Sequence, residues 1–283
     1  MITEKIRQAK TLLDALPYIQ EFKDKIFVIK YGGSAWEDQE LKQKFTKDIV
    51  LLYMVGIKPV LVHGGSKKIS STLEKVGLKS EFIDGLRVTS KEVLEVVEMV
   101  LSGNINKEIT TMINNHGAKA IGISGKDANF LVAKQRDERL GFVGRIDKVD
   151  ISVVQNLIRE QFIPVIAPIA SSYEENHPGF NINADLAASK IASELKAEKV
   201  IFMTDIKGVL NKNKELIPTL NENGIASLKA DGTIHGGMIP KVEACLECVK
   251  AGVKKAHIID GKIEHSLLLE VFTKEGVGTV IKE

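Results

Sequence analysis

The stretch KIFVIKYGG (residues 25–33) decides the fold class of this chain. Its apolar run at 26–29 is too short for a helix and is soon followed by a glycine pair, which is typical of a buried strand that ends in a tight turn. The stretch KPVLVHGGS (residues 58–66) repeats this arrangement, and residues 38–55 between them have the apolar spacing of a helix. We therefore predict a strand, a helix and a second strand parallel to the first.

The rest of the chain continues this alternation of short apolar runs and amphipathic segments. It predicts an α/β fold with an open, mostly parallel central sheet sandwiched between helices. A polar loop at 171–179 is the best candidate for a lobe boundary, and we place the lobes at residues 23–180 and 181–283. Further strands are expected at 120–123, 162–169, 200–203, 257–259 and 278–281.

An extra N-terminal helix precedes the first strand, in a segment that we delimit as residues 1–22. Its apolar residues recur at helical spacing, and the pattern ends at Pro17. This apolar face either packs on its own domain or interlocks with the same helix of another subunit. The residues that form it are Ile2, Ile6, Ala9, Leu13 and Leu16.

Composition excludes several classes of protein. The 283 residues are 44% hydrophobic and 27% charged, which is the balance of a globular protein. A net charge of +2 and 5% aromatic residues argue against a nucleic-acid partner. The longest apolar stretch, 49–55, is far shorter than the roughly 18 residues of a membrane span, and charges in the first twenty residues exclude a signal-peptide core. We expect a cytoplasmic protein without a membrane partner.

The two cysteines, Cys245 and Cys248, lie three residues apart on a predicted helix. A zinc site needs about four ligands, and no second Cys/His pair has a suitable spacing. We therefore predict no resident metal.

Polar residues and glycines follow several predicted strands, where open α/β sheets bind their ligands. Lys30 stands before the glycine pair 32–33, and His63 precedes Gly64 and Gly65. Glycines at a strand-to-helix turn let backbone N–H groups approach an anion, and the helix N-terminus adds partial positive charge. Each pair alone is explained by a tight turn, whereas two pairs at neighbouring strand ends favour phosphate binding.

The chain resembles the amino acid kinase family over nearly its whole length, and most of all those members that act on N-acetyl-L-glutamate. The order and spacing of the motifs carry this resemblance. They are KYGGSA (30–35), VHGGS (62–66), GLRVT (85–89), FNINAD (180–185), MTDIKGVL (203–210) and GGMIPK (236–241), with ALPYIQEF (15–22) and IDGKIEHSLLLEVFTKEGVGT (259–279) at the two ends.

The resemblance implies ATP-dependent phosphorylation of the side-chain carboxylate of N-acetyl-L-glutamate, a step of arginine biosynthesis. It implies ATP with Mg²⁺ as co-substrate and no prosthetic group. A carboxylate is already ionised at pH 7, so no general base is needed, and catalysis consists of positioning and charge neutralisation. Residues 23–180 would bind the acylated amino acid and 181–283 would bind ATP.

The resemblance also assigns roles to individual residues. Lys30 and Lys241 would stabilise the transition state from opposite sides, with Asp185 holding both ammonium groups. The substrate-binding residues would be Gly65, Ser66, Arg87 and Asn181, and the phosphate- or ATP-binding residues would be Gly33, Gly64, Thr204, Asp205, Gly208 and Met238.

One residue departs from the family pattern. Ser66 stands where the family usually has a third glycine. Serine keeps the N–H, but its Cβ would strain a left-handed backbone. We expect an altered substrate affinity with activity retained.

This chain resembles the members of the family that have the extra N-terminal helix. The resemblance implies a hexamer, built as a trimer of dimers, and inhibition by L-arginine. On matching positions the arginine site would include Tyr18, His257, Glu270 and Gly276. Glu270 would accept the guanidinium group.

Two other interpretations of the function, and one question about partners, stay open. The chain could be another kinase of the family that acts on aminoadipate, carbamate or aspartate. It could also be a non-catalytic arginine-sensing protein, although such a protein would be expected to lose a lysine or the aspartate. In related kinases a nitrogen-signalling protein binds, and the sequence does not indicate whether one binds here.

Overall fold

The computed structural model describes residues 2–32 and 38–283 of the chain. The strands are β1 Ile26–Tyr31, β2 Lys58–His63, β3 Phe82–Ile83, β4 Leu86–Arg87, β5 Ala120–Ser124, β6 Leu131–Gln135, β7 Gly144–Val149, β8 Ile163–Ala167, β9 Ile169–Ala170, β10 Phe180–Asn181, β11 Lys199–Thr204, β12 Thr219–Leu220, β13 Lys255–Asp260 and β14 Thr279–Ile281. The helices are α1 Ile2–Asp14, α2 Leu16–Phe22, α3 Gln39–Met54, α4 Ser66–Lys75, α5 Lys91–Glu98, α6 Asn106–Asn115, α7 Ser152–Arg159, α8 Ala184–Glu194, α9 Glu222–Ala230, α10 Met238–Lys250 and α11 Ser266–Phe272.

Eight strands form the central sheet in the order β12-β14-β13-β11-β1-β2-β8-β5. Six of them are parallel, and β14 pairs antiparallel with β13 while β12 follows the direction of β14. The predicted α/β fold with an open, mostly parallel sheet is therefore confirmed. The division into two lobes at residue 180 stays a prediction.

The central position of β1 in the sheet explains why its sequence is almost continuously apolar. Phe27, Ile29 and Tyr31 pack into one hydrophobic cluster, whereas Val28 packs into a second cluster on the opposite face. Both faces of a central parallel strand are covered by helices, so both sets of side chains must be apolar. Burying each such side chain contributes about 1.5–3 kcal/mol. The molecule therefore has three layers, with the sheet between two layers of helices.

The N-terminal segment differs from the single helix that the sequence predicts. The chain forms α1 and then a second helix, α2, which carries Pro17 in its first turn. Proline does not end a helix there because the first N–H groups have no intrahelical partner in any case. The apolar side chains of Ile2, Ile6, Leu13 and Leu16 are exposed in the single chain.

The chain is continuously helical from Lys91 to Asn115 but contains a wider π-helical turn. Ser90 caps α5 by accepting a hydrogen bond from the N–H of Val93. The π-helical segment Met99–Ile105 then joins α5 to α6. Such segments occur frequently at functional sites. Here it brings Leu101 and Ile105 against the turn that follows β2.

The strand order defines where a ligand should bind. Strand β2 pairs with one edge of β1, and β11, which comes much later in the chain, pairs with the other edge. The carboxyl ends of β1, β2 and β11 therefore border the crevice at the topological switch point. Among the helices of residues 2–32 and 38–283, none has the length and apolar character needed to cross a membrane.

Candidate active site

A cleft of about 200 Å³ lies beyond the carboxyl ends of β1 and β2. It is bordered by the turns after these strands, the β3–β4 hairpin and the start of α8. The structure thus brings together residues that are far apart in the sequence. The predicted site residues that line this cleft are Lys30, Gly64, Gly65, Ser66, Arg87, Asn181 and Asp185.

Two lysines meet on one carboxylate at the edge of this cleft. Nζ of Lys30 lies 3.0 Å from Oδ1 of Asp185, and Nζ of Lys241 lies 3.2 Å from Oδ2. Burial opposes ionisation of the Asp185 carboxyl, but the charges and hydrogen bonds of the two lysines outweigh it, and the pKa of Asp185 lies below its usual value. The carboxylate therefore stays ionised and holds the two ammonium groups close to each other.

The position of Asp185 follows from the cap of α8. The side chain of Asn183 accepts hydrogen bonds from the N–H groups of Asp185, at 2.8 Å, and Leu186, at 3.2 Å. Asparagine is a preferred N-cap residue because it satisfies amides that have no intrahelical partner. Asn183 was not among the predicted site residues, although its place before a helix in the FNINAD motif is the signal that identifies it.

The glycine turn after β2 is shaped by close packing. A Cβ atom on Gly65 would collide with Ile105 and Leu101 of the π-helical segment, whereas one on Gly64 would make an ordinary 3.8 Å contact with Ala184. Ser66 is the first residue of α4 and does not have a positive φ angle. The left-handed strain considered for Ser66 is therefore absent.

A buried histidine and asparagine support this turn, and neither was predicted as a site residue. The Asn106 amide nitrogen lies 3.2 Å from Nε2 of His63 and donates to the carbonyl oxygen of Val165 at 2.8 Å. Burial lowers the pKa of His63 to about 4, so its ring is neutral at pH 7. Nε2 then accepts from Asn106, and Nδ1–H donates to the Gly64 carbonyl oxygen at 3.1 Å. No spacing rule connects residues 63 and 106.

Arg87 lies on β4 and is held by neutral groups. Its Nη2 donates to the carbonyl oxygen of Ser66 at 2.8 Å, and its guanidinium stacks 4.6 Å above the Phe82 ring. Burial lowers the pKa of Arg87 from its ordinary value. Across residues 2–32 and 38–283, no carboxylate forms an ion pair with Arg87, so its positive charge is uncompensated there.

Asn181 closes the cleft on the side of β10. Its side-chain amide donates to the Thr89 hydroxyl at 3.2 Å, and its backbone N–H donates to the Phe142 carbonyl at 2.9 Å. Among residues 2–32 and 38–283, no donor bonds the side-chain oxygen of Asn181, so this oxygen can accept from a ligand N–H.

Gly64 lines the cleft, whereas four other residues predicted to bind phosphate or ATP do not line it; these are Thr204, Asp205, Gly208 and Met238. Thr204 ends β11, two residues beyond the register partner of Lys30, and Met238 begins the helix that carries Lys241. Gly208 has a φ of +134°, and a Cβ there would lie 2.6 Å from the Thr279 hydroxyl oxygen. Asp205 follows β11 and is exposed, with one oxygen 3.9 Å from Nζ of Lys262. Gly33 lies outside the described residues.

The four residues of the predicted arginine site line a second cavity, of about 190 Å³. Within it, Nδ1 of His257 lies 2.6 Å from Oε1 of Glu270, and Oε2 accepts from the N–H groups of Val277 and Gly278 at 2.7 and 3.0 Å. Burial opposes ionisation of the Glu270 carboxyl, but these donors keep its pKa below the usual value, while burial lowers the pKa of His257. The other lining residues that were predicted are Tyr18 and Gly276.

Cys245 and Cys248 are buried on α10 and are not joined by a disulfide. Burial raises the pKa of both thiols, Cys248 to about 11. In the part of the chain that the structure describes, no cluster of three or more His, Cys, Asp or Glu side chains is arranged to hold a metal ion.

The fold and the cleft define an α/β protein with a cleft beyond the carboxyl ends of its central strands. A model of the amino acid kinase family matches residues 25–260. The chain belongs to the amino acid kinase family.

Several relatives are similar over nearly the full chain. An acetylglutamate kinase of Campylobacter fetus is 64% identical over 98% of this chain and 99% of its own. One of Nitratiruptor sp. is 63% identical over 98% of both chains.

Solved structures share the fold at lower identity. An N-acetylglutamate synthase from Neisseria gonorrhoeae, in complex with coenzyme A and N-acetyl-glutamate, superposes with a TM-score of 0.86 at 24% identity. The match covers 97% of this chain but only 63% of the synthase chain. A carbamate kinase from Giardia superposes with a TM-score of 0.67 at 18% identity, covering 91% and 98% of the two chains.

Proposed function

We propose that this protein transfers the γ-phosphoryl group of ATP to the side-chain carboxylate of N-acetyl-L-glutamate. The observation that carries the proposal is the meeting of Lys30 and Lys241 on Asp185, at the edge of a strand-end cleft. Relatives named acetylglutamate kinase, 57–64% identical over almost the whole chain, support the choice of substrate. The reaction belongs to amino-acid biosynthesis.

The geometry suits phosphoryl transfer between two anions. The acceptor carboxylate is ionised at neutral pH, so the site needs no base to activate it. Repulsion between the carboxylate and the phosphates is then the main electrostatic barrier. Lys30 and Lys241 would neutralise the negative charge of the moving phosphoryl group from opposite sides. Asp185 would position both ammonium groups before the substrates arrive, which lowers the reorganisation needed in the transition state.

The acylated amino acid would bind in the part of the cleft next to the turn after β2 and the β3–β4 hairpin. Arg87 would bind the α-carboxylate through its planar fork of N–H groups. The N–H groups of Gly65 and Ser66 and the side chain of Asn181 would complete the substrate site. Gly64, and Gly33 outside the described residues, would offer N–H groups to the phosphate.

ATP would approach from the carboxyl end of β11, next to Lys241. We propose that the turn containing Thr204, Asp205 and Gly208 borders the nucleotide together with Met238. Mg²⁺ would enter bound to the phosphates of ATP, whose hard oxygen atoms are its preferred ligands. The lobes 23–180 and 181–283 would thus each bind one substrate.

An ATP-coupled assay across N-acetylglutamate, glutamate, aspartate, aminoadipate and carbamate tests the proposal. We expect the highest kcat/KM for N-acetylglutamate, with Lys30→Ala protein prepared in parallel to exclude a contaminating kinase. A different best substrate would assign the chain to another activity of the family. No turnover on any of them would favour the non-catalytic alternative, an arginine-sensing protein. The presence of both lysines and Asp185 argues against that alternative.

We also propose L-arginine as a feedback inhibitor that binds in the second cavity. Tyr18, His257, Glu270 and Gly276 all line this one cavity, although they are up to 258 residues apart in the sequence. Both Glu270 oxygens already accept hydrogen bonds, so the guanidinium would have to share this carboxylate with its present donors. Millimolar arginine should reduce the rate, and an unchanged rate would contradict this part of the proposal.

The exposed apolar face of α1 supports assembly into a hexamer, a trimer of dimers. Ile2 and Leu13 keep 71% and 64% of their surface exposed, which is costly for a chain that stays alone in water. Sedimentation of the full chain and of a chain lacking residues 1–20 tests this. We expect the deletion to reduce a hexamer to dimers and to weaken arginine inhibition. An unchanged oligomer and unchanged regulation would contradict the assembly role.

A further inference from the structure

Three serine hydroxyls surround the guanidinium group of Arg87. Its Nη2 lies 3.1 Å from the Ser66 hydroxyl oxygen and 3.0 Å from that of Ser70, and its Nη1 donates to the Ser80 hydroxyl. Together with the Ser66 carbonyl, these four acceptors are all uncharged. In the described residues 2–32 and 38–283, they account for three of the five N–H groups of Arg87, leaving two for a ligand.

The serines come from two separate elements that border the cleft. Ser66 and Ser70 lie on α4, four residues apart and therefore on the same face of the helix. Ser80 precedes the β3–β4 hairpin, which carries Arg87 itself. The Ser70 and Ser80 hydroxyls also approach each other to 3.4 Å. The guanidinium thus ties the first turns of α4 to the hairpin.

Hydroxyl acceptors have a different consequence from a carboxylate at the same place. A carboxylate would fix the orientation of Arg87 but would also neutralise it and compete with an incoming anion. Hydroxyl groups fix the orientation and leave the full positive charge available. The hydroxyl of Ser66 is part of this arrangement, and glycine at this position would not supply it.

We propose that Ser66, Ser70 and Ser80 are positioning residues that orient Arg87 for the α-carboxylate of the substrate. This inference rests on the proposed function, because it takes N-acetylglutamate as the ligand of the cleft. It makes Ser66 a determinant of substrate affinity through its side chain as well as through its backbone N–H.

Steady-state kinetics of Ser66→Ala, Ser70→Ala and Ser80→Ala test this proposal. Because a hydrogen bond to a charged group is lost, we expect the KM for N-acetylglutamate to rise about fivefold to tenfold in each variant. The kcat value and the KM for ATP should change less than about twofold, since the lysines are untouched. Ser66→Thr, which keeps the hydroxyl, should restore the KM. Ser71→Ala is the matched control, because Ser71 lies on the same helix and its hydroxyl donates to the Lys68 carbonyl of that helix.

A substrate without the α-carboxylate separates positioning from a general structural effect. With the α-amide of N-acetylglutamate, the serine variants should differ from wild type by less than about twofold, because the charge that Arg87 binds is gone. An equal penalty on both substrates, or an unchanged KM for N-acetylglutamate in all three variants, would overturn the inference while leaving the proposed function intact. Failure of the wild-type enzyme to phosphorylate N-acetylglutamate would overturn both.

Discussion

Asp185 and Glu270 are both largely buried carboxylates that stay ionised, but their partners differ in kind. Asp185 is held by two lysine side chains at the edge of a cleft, and long flexible side chains can move onto a ligand. Glu270 is held by a neutral histidine and two backbone N–H groups, which are fixed by the fold. A lowered carboxyl pKa alone therefore does not indicate what a buried carboxylate does, because partners of different charge and flexibility produce the same direction of shift.

The largest expected effect concerns the partners of Asp185. Lys30→Ala or Lys241→Ala should lower kcat by about 10²- to 10³-fold, because each removes a preorganised charge from the transition state. Rapid-quench measurement of acyl phosphate formation reports this step. Lys250→Ala on the same helix as Lys241 is the control, since Lys250 pairs with Glu222 on the surface and should leave kcat unchanged. Near-normal turnover in either test variant would remove that lysine from the mechanism.

A second effect concerns the buried histidines near the two regions, His63 and His257. The pKa of His63 is about 4 in the folded protein and about 6.5 in the unfolded chain, so the unfolded state binds more protons between these values. Folding stability should therefore fall as the pH drops from 6.5 to 4, with His63 contributing on the order of 3 kcal/mol and His257 acting in the same direction. Urea unfolding across this range should show a flatter pH dependence for His63→Gln than for wild type. Parallel curves would contradict a neutral buried His63.

The smallest effect on catalysis is expected for Glu270→Gln. The substitution keeps the shape but removes the charge that His257 and the two amides bind, at a cost of about 1–3 kcal/mol in the free energy of unfolding. The kcat value without arginine should stay within about twofold of wild type, because Glu270 lines a different cavity from Asp185. Inhibition by arginine should be lost. A large loss of kcat in this variant would mean that the two regions are not functionally separate.

The sequence predicted the parts of the fold and site that follow general rules. Short apolar runs followed by glycines marked β1 and β2, and their carboxyl ends placed Lys30 and the 64–65 turn at the same edge. The pairing of Asp185 with Lys241 came only from the family resemblance, because no spacing rule links residues 56 positions apart. The π-helical segment, Asn106, Ser70 and Ser80 were also missed, since tertiary contacts decide them and serine is common on surfaces. Ser66 was predicted for its backbone N–H and not for its hydroxyl. Helix α2 was missed because Pro17 was interpreted as a stop.

A crystal structure with ADP, Mg²⁺, aluminium fluoride and N-acetylglutamate tests the central claim most directly. We predict that Nζ of Lys30 and Nζ of Lys241 each lie about 3 Å from the phosphoryl mimic, on opposite sides, with Asp185 still within reach of both. A complex in which either ammonium group makes no contact with the mimic would contradict this account.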